Sequence, residues 1–181
     1  LPGLRAKCGP PLIWPLAPVL GWAVHNAATL PLFMLIGFNR FSVAIVTLLS
    51  LAIAAYALWR QPRPPESGKD TVTVPAWAWL GALILAFGPA AAIVPKFADG
   101  AVVLSAPIFD HAKVAMIDEM IRNGLPPANP FFGEEGLPSR LAYYYLLHFS
   151  AAELGLLLGI SGWEADAALT WFSAFTSLML M

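Results

Sequence analysis

"FSVAIVTLLSLAIAAYALW", residues Phe41 to Trp59, decides how the rest of the chain is read. It contains no Asp, Glu, Lys or Arg. At a rise of about 1.5 Å per residue, a helix of this length nearly matches the roughly 30 Å hydrocarbon core of a bilayer. Around it the composition is that of a membrane protein: 59% hydrophobic and 12% charged residues, with a mean hydropathy of +0.70. Soluble domains carry about 25% charged residues. A net charge of -1, with scattered Lys and Arg, provides no basic stripe and argues against nucleic-acid binding. The single cysteine, Cys8, excludes an internal disulfide, and no Cys/His cluster has zinc-site spacing.

Working outward, four further uncharged or nearly uncharged runs predict spans at 12–38, 75–95, 141–160 and 165–181. The first carries Pro15, Pro18 and Pro31, which predict a bent or tilted helix. Trp77 and Trp79 open the 75–95 run as interface aromatics. The last run is cut off by the chain end, and the chain reads as a fragment of a larger multi-span protein. The expected fold class is all-α: a polytopic transmembrane helical bundle, with an outer-face loop that contains an amphipathic juxtamembrane helix.

Sidedness follows from charge. Loop 60–74 carries Arg60, Arg63 and Lys69 and is rich in proline, so the positive-inside rule places it in the cytoplasm. Counting spans from there puts the "GFNR" turn and the long 96–140 segment outside, and the "SGWE" turn inside.

More than half of the chain's eleven acids lie between Asp99 and Glu135, within that outer segment. Its stretch "SAPIFDHAKVAMIDEMIRNG" reads as one helix, capped by Ser105 or Asp110 and stopped by Gly124, Pro126 and Pro127. On a helical wheel His111, Ala115, Asp118, Glu119 and Arg122 share one side, and Val114, Ile117 and Ile121 the other. That pattern predicts a helix lying on the membrane surface. Asp110 falls on the apolar side, as an N-cap or as a partly buried acid held for chemistry. "GLPPANPFFGEEG" reads as rigid proline turns, either a connector whose Phe131 and Phe132 dip into the interface or a wall of a substrate cleft.

In the 141–160 run, Tyr144 and His148 stand one helical turn apart, and His148 and Glu153 are ionisable groups inside a predicted span. Such residues are functional candidates unless they serve helix packing through a hydrogen bond. His25 and Asn26 pose the same question in the first run. Lys96 and Arg140 sit at the outer ends of the third and fourth runs, as interface anchors or as phosphate-binding cations.

The order of these features resembles the membrane glycosyltransferases of the GT-C superfamily, such as protein mannosyltransferases and the aminoarabinose transferase of lipid A. "FDH" at Phe109, Asp110 and His111 stands where these enzymes have an aromatic residue and two acids at the start of their first large outer loop. "RLAYYYLLH" at 140–148 stands where they have a proline- and tyrosine-rich stretch. The resemblance covers roughly residues 96–160. It implies a helical bundle, a sugar donor on a polyprenyl phosphate, membrane lipid as surroundings, and a bacterial inner (plasma) membrane location. It implies Asp110 as base with His111 orienting the acceptor, and Lys96, Arg140, Tyr144, His148 and Glu153 around the substrate. His111 replaces the second acid of the usual pair, which leaves a divalent metal cofactor unsupported. The pair Asp118 and Glu119 is an alternative match. A rival reading, from His148 and Glu153 and the proline-broken spans, is a transporter or lipid flippase; a third is a non-catalytic membrane subunit.

Overall fold

The structure is a computed structural model. It describes residues 10–60, 74–103, 107–134, 137–141 and 145–181, with the backbone alone at 10–15, 107–110, 134, 137 and 138. The chain is mostly α-helical, and three of its helical stretches are long and apolar enough to cross a membrane. These are Leu16–Ile36 within α1 (Pro10–Ile36), α2 (Arg40–Arg60), and α3 with α4 (Ala76–Leu85 and Phe87–Ile93). They mark the chain as a membrane protein.

Helix α2 shows why. Only Val43 and Val46 of its side chains are buried, whereas Phe41, Leu48, Leu51, Ile53, Leu58 and Trp59 are exposed. In water such a surface would aggregate; in lipid it is the outside of a helix. The turn into α2 is built locally. Gly37 takes a left-handed φ of 89°, and Asn39 Oδ1 accepts from the N–H groups of Phe41 and Ser42 at 3.0 and 3.1 Å.

The third apolar run is broken at Ala86, just before Gly88 and Pro89. A break inside a membrane helix frees backbone groups that need partners. One comes from α7 (Gly162–Leu180), where the Trp171 indole N–H donates to Leu83 O at 3.2 Å.

Between α4 and α7 the chain departs from an all-α expectation. β1 (Lys96–Ala98) and β2 (Ala101–Val103) form one antiparallel hairpin, and β3 (Ala128–Glu134) and β4 (Leu137–Arg140) form another. Asp99 and Gly100 both have positive φ, 52° and 77°, which suits a two-residue hairpin turn, and Asp-Gly is the sequence signal for it. The proline-rich stretch expected as turns is largely β3, with Asn129 Oδ1 accepting from the N–H groups of Phe131 and Phe132.

Helix α5 (Pro107–Asn123) covers most of the stretch read as one amphipathic helix, but its apolar side faces protein. Val114, Met116, Ile117 and Met120 are buried, because α5 packs along α6 (Leu146–Leu158) and α7. Two glycines permit the approach. A Cβ on Gly155 of α6 would collide with the Ile121 side chain, and one on Gly162 would come within 2.7 Å of Asp118 Oδ1 and 3.1 Å of Val114 O. The core continues to α1 and α2 through Phe33, Phe38 and Phe149, whose ring centroids lie 5.4 to 6.0 Å apart.

Within the run 141–160, of which residues 142–144 lie outside the described residues, the described helix is α6. α6 has 13 residues, about 20 Å of helix, against the roughly 30 Å of a bilayer core. It ends at Gly159, whose φ of 68° closes the helix in the left-handed conformation. The turn that follows, read from the sequence as lying opposite to the 96–140 segment, sits beside α5. Asp118 Oδ1 accepts from Gly162 N–H at 3.0 Å, and the His111 and Trp163 rings meet edge to face at 5.9 Å. α7 then runs antiparallel to the α3–α4 pair: Trp171 packs on Phe87, and Phe175 further along packs on Trp79, nearer the start of α3. The start of α7 and the end of α4 are therefore at the same end of the molecule. Helix α5 packs on α6 and α7 there, and β3 packs on α5.

Candidate functional site

Buried polar groups gather in two places. The first lies where the beginning of α5 meets α6 and α7. Lys113 Nζ of α5 is 3.2 Å from Asp166 Oδ2 of α7, off the axis of a hydrogen bond, so the two are paired by charge. Asp166 is 3% exposed, too buried for an ordinary surface carboxylate, and the Lys113 side chain is 30% exposed. His148 of α6 is buried within electrostatic reach of both charges, and its Nδ1 has no hydrogen-bond partner among the described residues. A paired ammonium and carboxylate thus lie at the same helix junction as a buried imidazole. They are groups capable of holding a hydroxyl-bearing ligand or moving a proton.

The second place lies between α1 and α6. His25 Nε2 donates to Glu153 Oε1 at 3.2 Å, and Asn26 Nδ2 donates to Ser150 Oγ at 3.2 Å. Glu153 and Asn26 are both buried, and Asn26 Oδ1 has no hydrogen-bond partner among the described residues. Buried polar residues in apolar helices need such partners, and here the partners join two helices distant in sequence.

Asp110 is the fourth residue of α5 and has helical backbone, so it does not occupy the N-cap position proposed for it; an N-cap residue is non-helical and precedes the first turn. It lies three residues before Lys113, at the end of α5 that carries the Lys113–Asp166 contact. His111 is exposed and leans on Trp163. Lys96 and Arg140 are exposed on β1 and β4. Tyr144 lies outside the described residues. Glu153 and His148, assigned together from the sequence, belong to different clusters.

The alternative acid pair has other partners. Asp118 holds the first N–H of α7 and lies 3.8 Å from Arg122, while Glu119 accepts from Asn123 Nδ2 at 2.9 Å. Among the described residues, no group of three or more His, Cys, Asp and Glu side chains is placed to hold a metal ion.

Sequence reasoning missed Asp166 and Lys113. Asp166 had a signal: it is a carboxylate in the opening turns of a run read as a span. It also missed that Ser161 and Glu164 form a capping box, although S-x-x-E before an apolar run is its signature. The Ser161 N–H and hydroxyl both donate to Glu164 Oε2 at 2.8 Å, holding that exposed carboxyl below its ordinary range.

An uncharacterized protein, y4nK, of Sinorhizobium fredii (strain NBRC 101917 / NGR234) is 35% identical to this chain over 167 residues. The match takes in 92% of this chain and 25% of that protein, so the chain spans about a quarter of its relative's length. No protein-family model and no solved structure matches the chain.

Proposed function

We propose that this chain is part of a membrane glycosyltransferase of the GT-C kind, moving a sugar from a polyprenyl-phosphate donor to an acceptor hydroxyl at the outer face of a bacterial plasma membrane. In this reading α1, α2, the α3–α4 pair and α7 cross the bilayer. Segment 60–74 is cytoplasmic, and segment 96–140, with α5 and the two hairpins, lies outside. The observation that carries the proposal is the docking of α5: the helix bearing Asp110, His111 and Lys113 is packed onto α6 and α7, where Lys113 meets buried Asp166. A simple connector would not need buried charges in its supporting helices.

Polyprenyl phosphate is a competent leaving group, so the enzyme chiefly needs a base and a site that holds the reactants. The Asp110 carboxylate takes the proton of the acceptor hydroxyl, and the acceptor oxygen forms its bond to the anomeric carbon. The bond from that carbon to the phosphate oxygen breaks, and polyprenyl phosphate leaves with the electron pair. Attack opposite the leaving group inverts the anomeric centre. His111 orients the acceptor, and Lys96 and Arg140 hold the donor phosphate. The test is sugar transfer from a labelled polyprenyl-phosphate donor by the whole protein in proteoliposomes. Asp110→Asn should lower the rate by about 10²- to 10⁴-fold, the ordinary contribution of a general base; an unchanged rate removes Asp110 from that role.

The His25–Glu153 contact favours a second reading, a transporter or flippase whose working residues are intramembrane. There Glu153→Gln abolishes substrate movement and Asp110→Asn does not.

A further inference from the structure

The hairpin that follows the third apolar stretch has no cover of its own. Every residue from Lys96 to Val103 is exposed. Phe97 and Val102 are paired directly across the two strands, so their side chains share one face, and they are 78% and 66% exposed. Lys96, Ala98, Ala101 and Val103 occupy the other face. A lone two-stranded hairpin is marginal in water and needs a surface to pack against.

We propose that the Phe97–Val102 face rests in the headgroup layer of the membrane and anchors the outer end of the α3–α4 span. Position argues for lipid as the occupant. The apolar stretch Ala76–Ile93 ends three residues before Lys96, a distance of about 10 Å at full extension. The polar layer on each side of the hydrocarbon core is only some 5 to 8 Å deep, so the hairpin begins within or just above it. Depth is limited from the other side by the backbone. Both strands have open edges whose N–H and C=O groups need water or headgroups, which excludes the hydrocarbon core. What remains is an interfacial posture, with Phe97 and Val102 directed toward the acyl chains and Lys96, on the opposite face, in reach of lipid phosphates. The turn at Asp99 and Gly100, with both residues at positive φ, fixes which side chains face together.

The test uses the whole protein with Cys8 replaced by Ser, in vesicles of phosphatidylcholine and phosphatidylglycerol. A single cysteine at Val102 carries an NBD label, and a companion protein carries it at Ala98, on the opposite face. The Val102→Cys label should emit to the blue of the Ala98→Cys label. It should be quenched by lipids bearing a nitroxide near the headgroup more than by lipids bearing one deep in the chain, and resist aqueous iodide. Adding Phe97→Glu to Val102→Cys should return the label to iodide. Equal iodide quenching at both positions would mean that the hairpin stands in water and would overturn the proposal. Shielding of the Val102 label from both iodide and nitroxide lipids would overturn it in favour of protein, a further segment or a second copy, as the cover.

Discussion

Removing Lys113 should damage the protein more than removing its partner does. The two side chains are 3.2 Å apart but unequally buried, with Lys113 30% and Asp166 5% exposed. Lys113→Met strands a carboxylate among α5, α6 and α7, and breaking a buried pair from one side costs about 3 to 5 kcal/mol. Asp166→Asn is isosteric. It leaves an ammonium on a four-carbon stem that can turn toward water, so its cost should be nearer that of an exposed ion pair with one lost polar contact, about 1 kcal/mol. Lys113→Met combined with Asp166→Leu removes both charges and should recover most of the loss, since apolar replacement of a buried pair is often neutral or stabilising. The assay is unfolding of the whole protein in mixed micelles by increasing mole fraction of sodium dodecyl sulfate, followed by tryptophan fluorescence. An Asp166→Asn cost equal to or above that of Lys113→Met, or a double variant worse than either single one, would refute the placement of the pair at the α5–α7 contact.

Two further outcomes follow from the start of α7. Gly162→Ala puts a methyl group against Asp118 Oδ1 and Val114 O, and should cost about 1 to 3 kcal/mol in the same unfolding assay as an overpacked contact; a cost near zero would mean that α5 does not approach α7 so closely. Glu164 has its folded-state carboxyl pKa depressed by the Ser161 backbone and hydroxyl, so its contribution is present above the unfolded carboxylate pKa and is lost as pH falls through the lower folded value. The stability difference between wild type and Glu164→Gln should therefore be constant near neutrality and vanish in acid, and a difference that grows on acidification would contradict the capping box.

Much of the membrane character was legible because apolar length leaves few alternatives: the runs at 12–38, 41–59 and 75–95 correspond to the three stretches able to cross a bilayer. At 141–160 the described helix α6 buries part of its apolar surface against α1, α2, α5 and α7, which apolar length alone does not reveal. Periodicity placed α5 and its apolar side, but it cannot distinguish a helix packed on protein from one packed on lipid, since both bury the same stripe. The hairpin at Asp99 and Gly100 carried its signal in two residues and was passed over. The candidate site was legible residue by residue and not as a constellation. His148 and Glu153 stood out because ionisable groups are rare in apolar runs, but the partner of Glu153, His25, lies 128 positions away in sequence, and only the packing brings His148 to the helix junction that holds Lys113 and Asp166.

The most direct measurement is the rate of sugar transfer from a labelled polyprenyl-phosphate donor, made side by side on wild type, Asp110→Asn and Glu153→Gln of the whole protein in proteoliposomes. The glycosyltransferase account predicts a loss of about 10²-fold or more for Asp110→Asn, with Glu153→Gln keeping most of the activity once correctly folded protein is compared. Transfer undiminished in Asp110→Asn would contradict it.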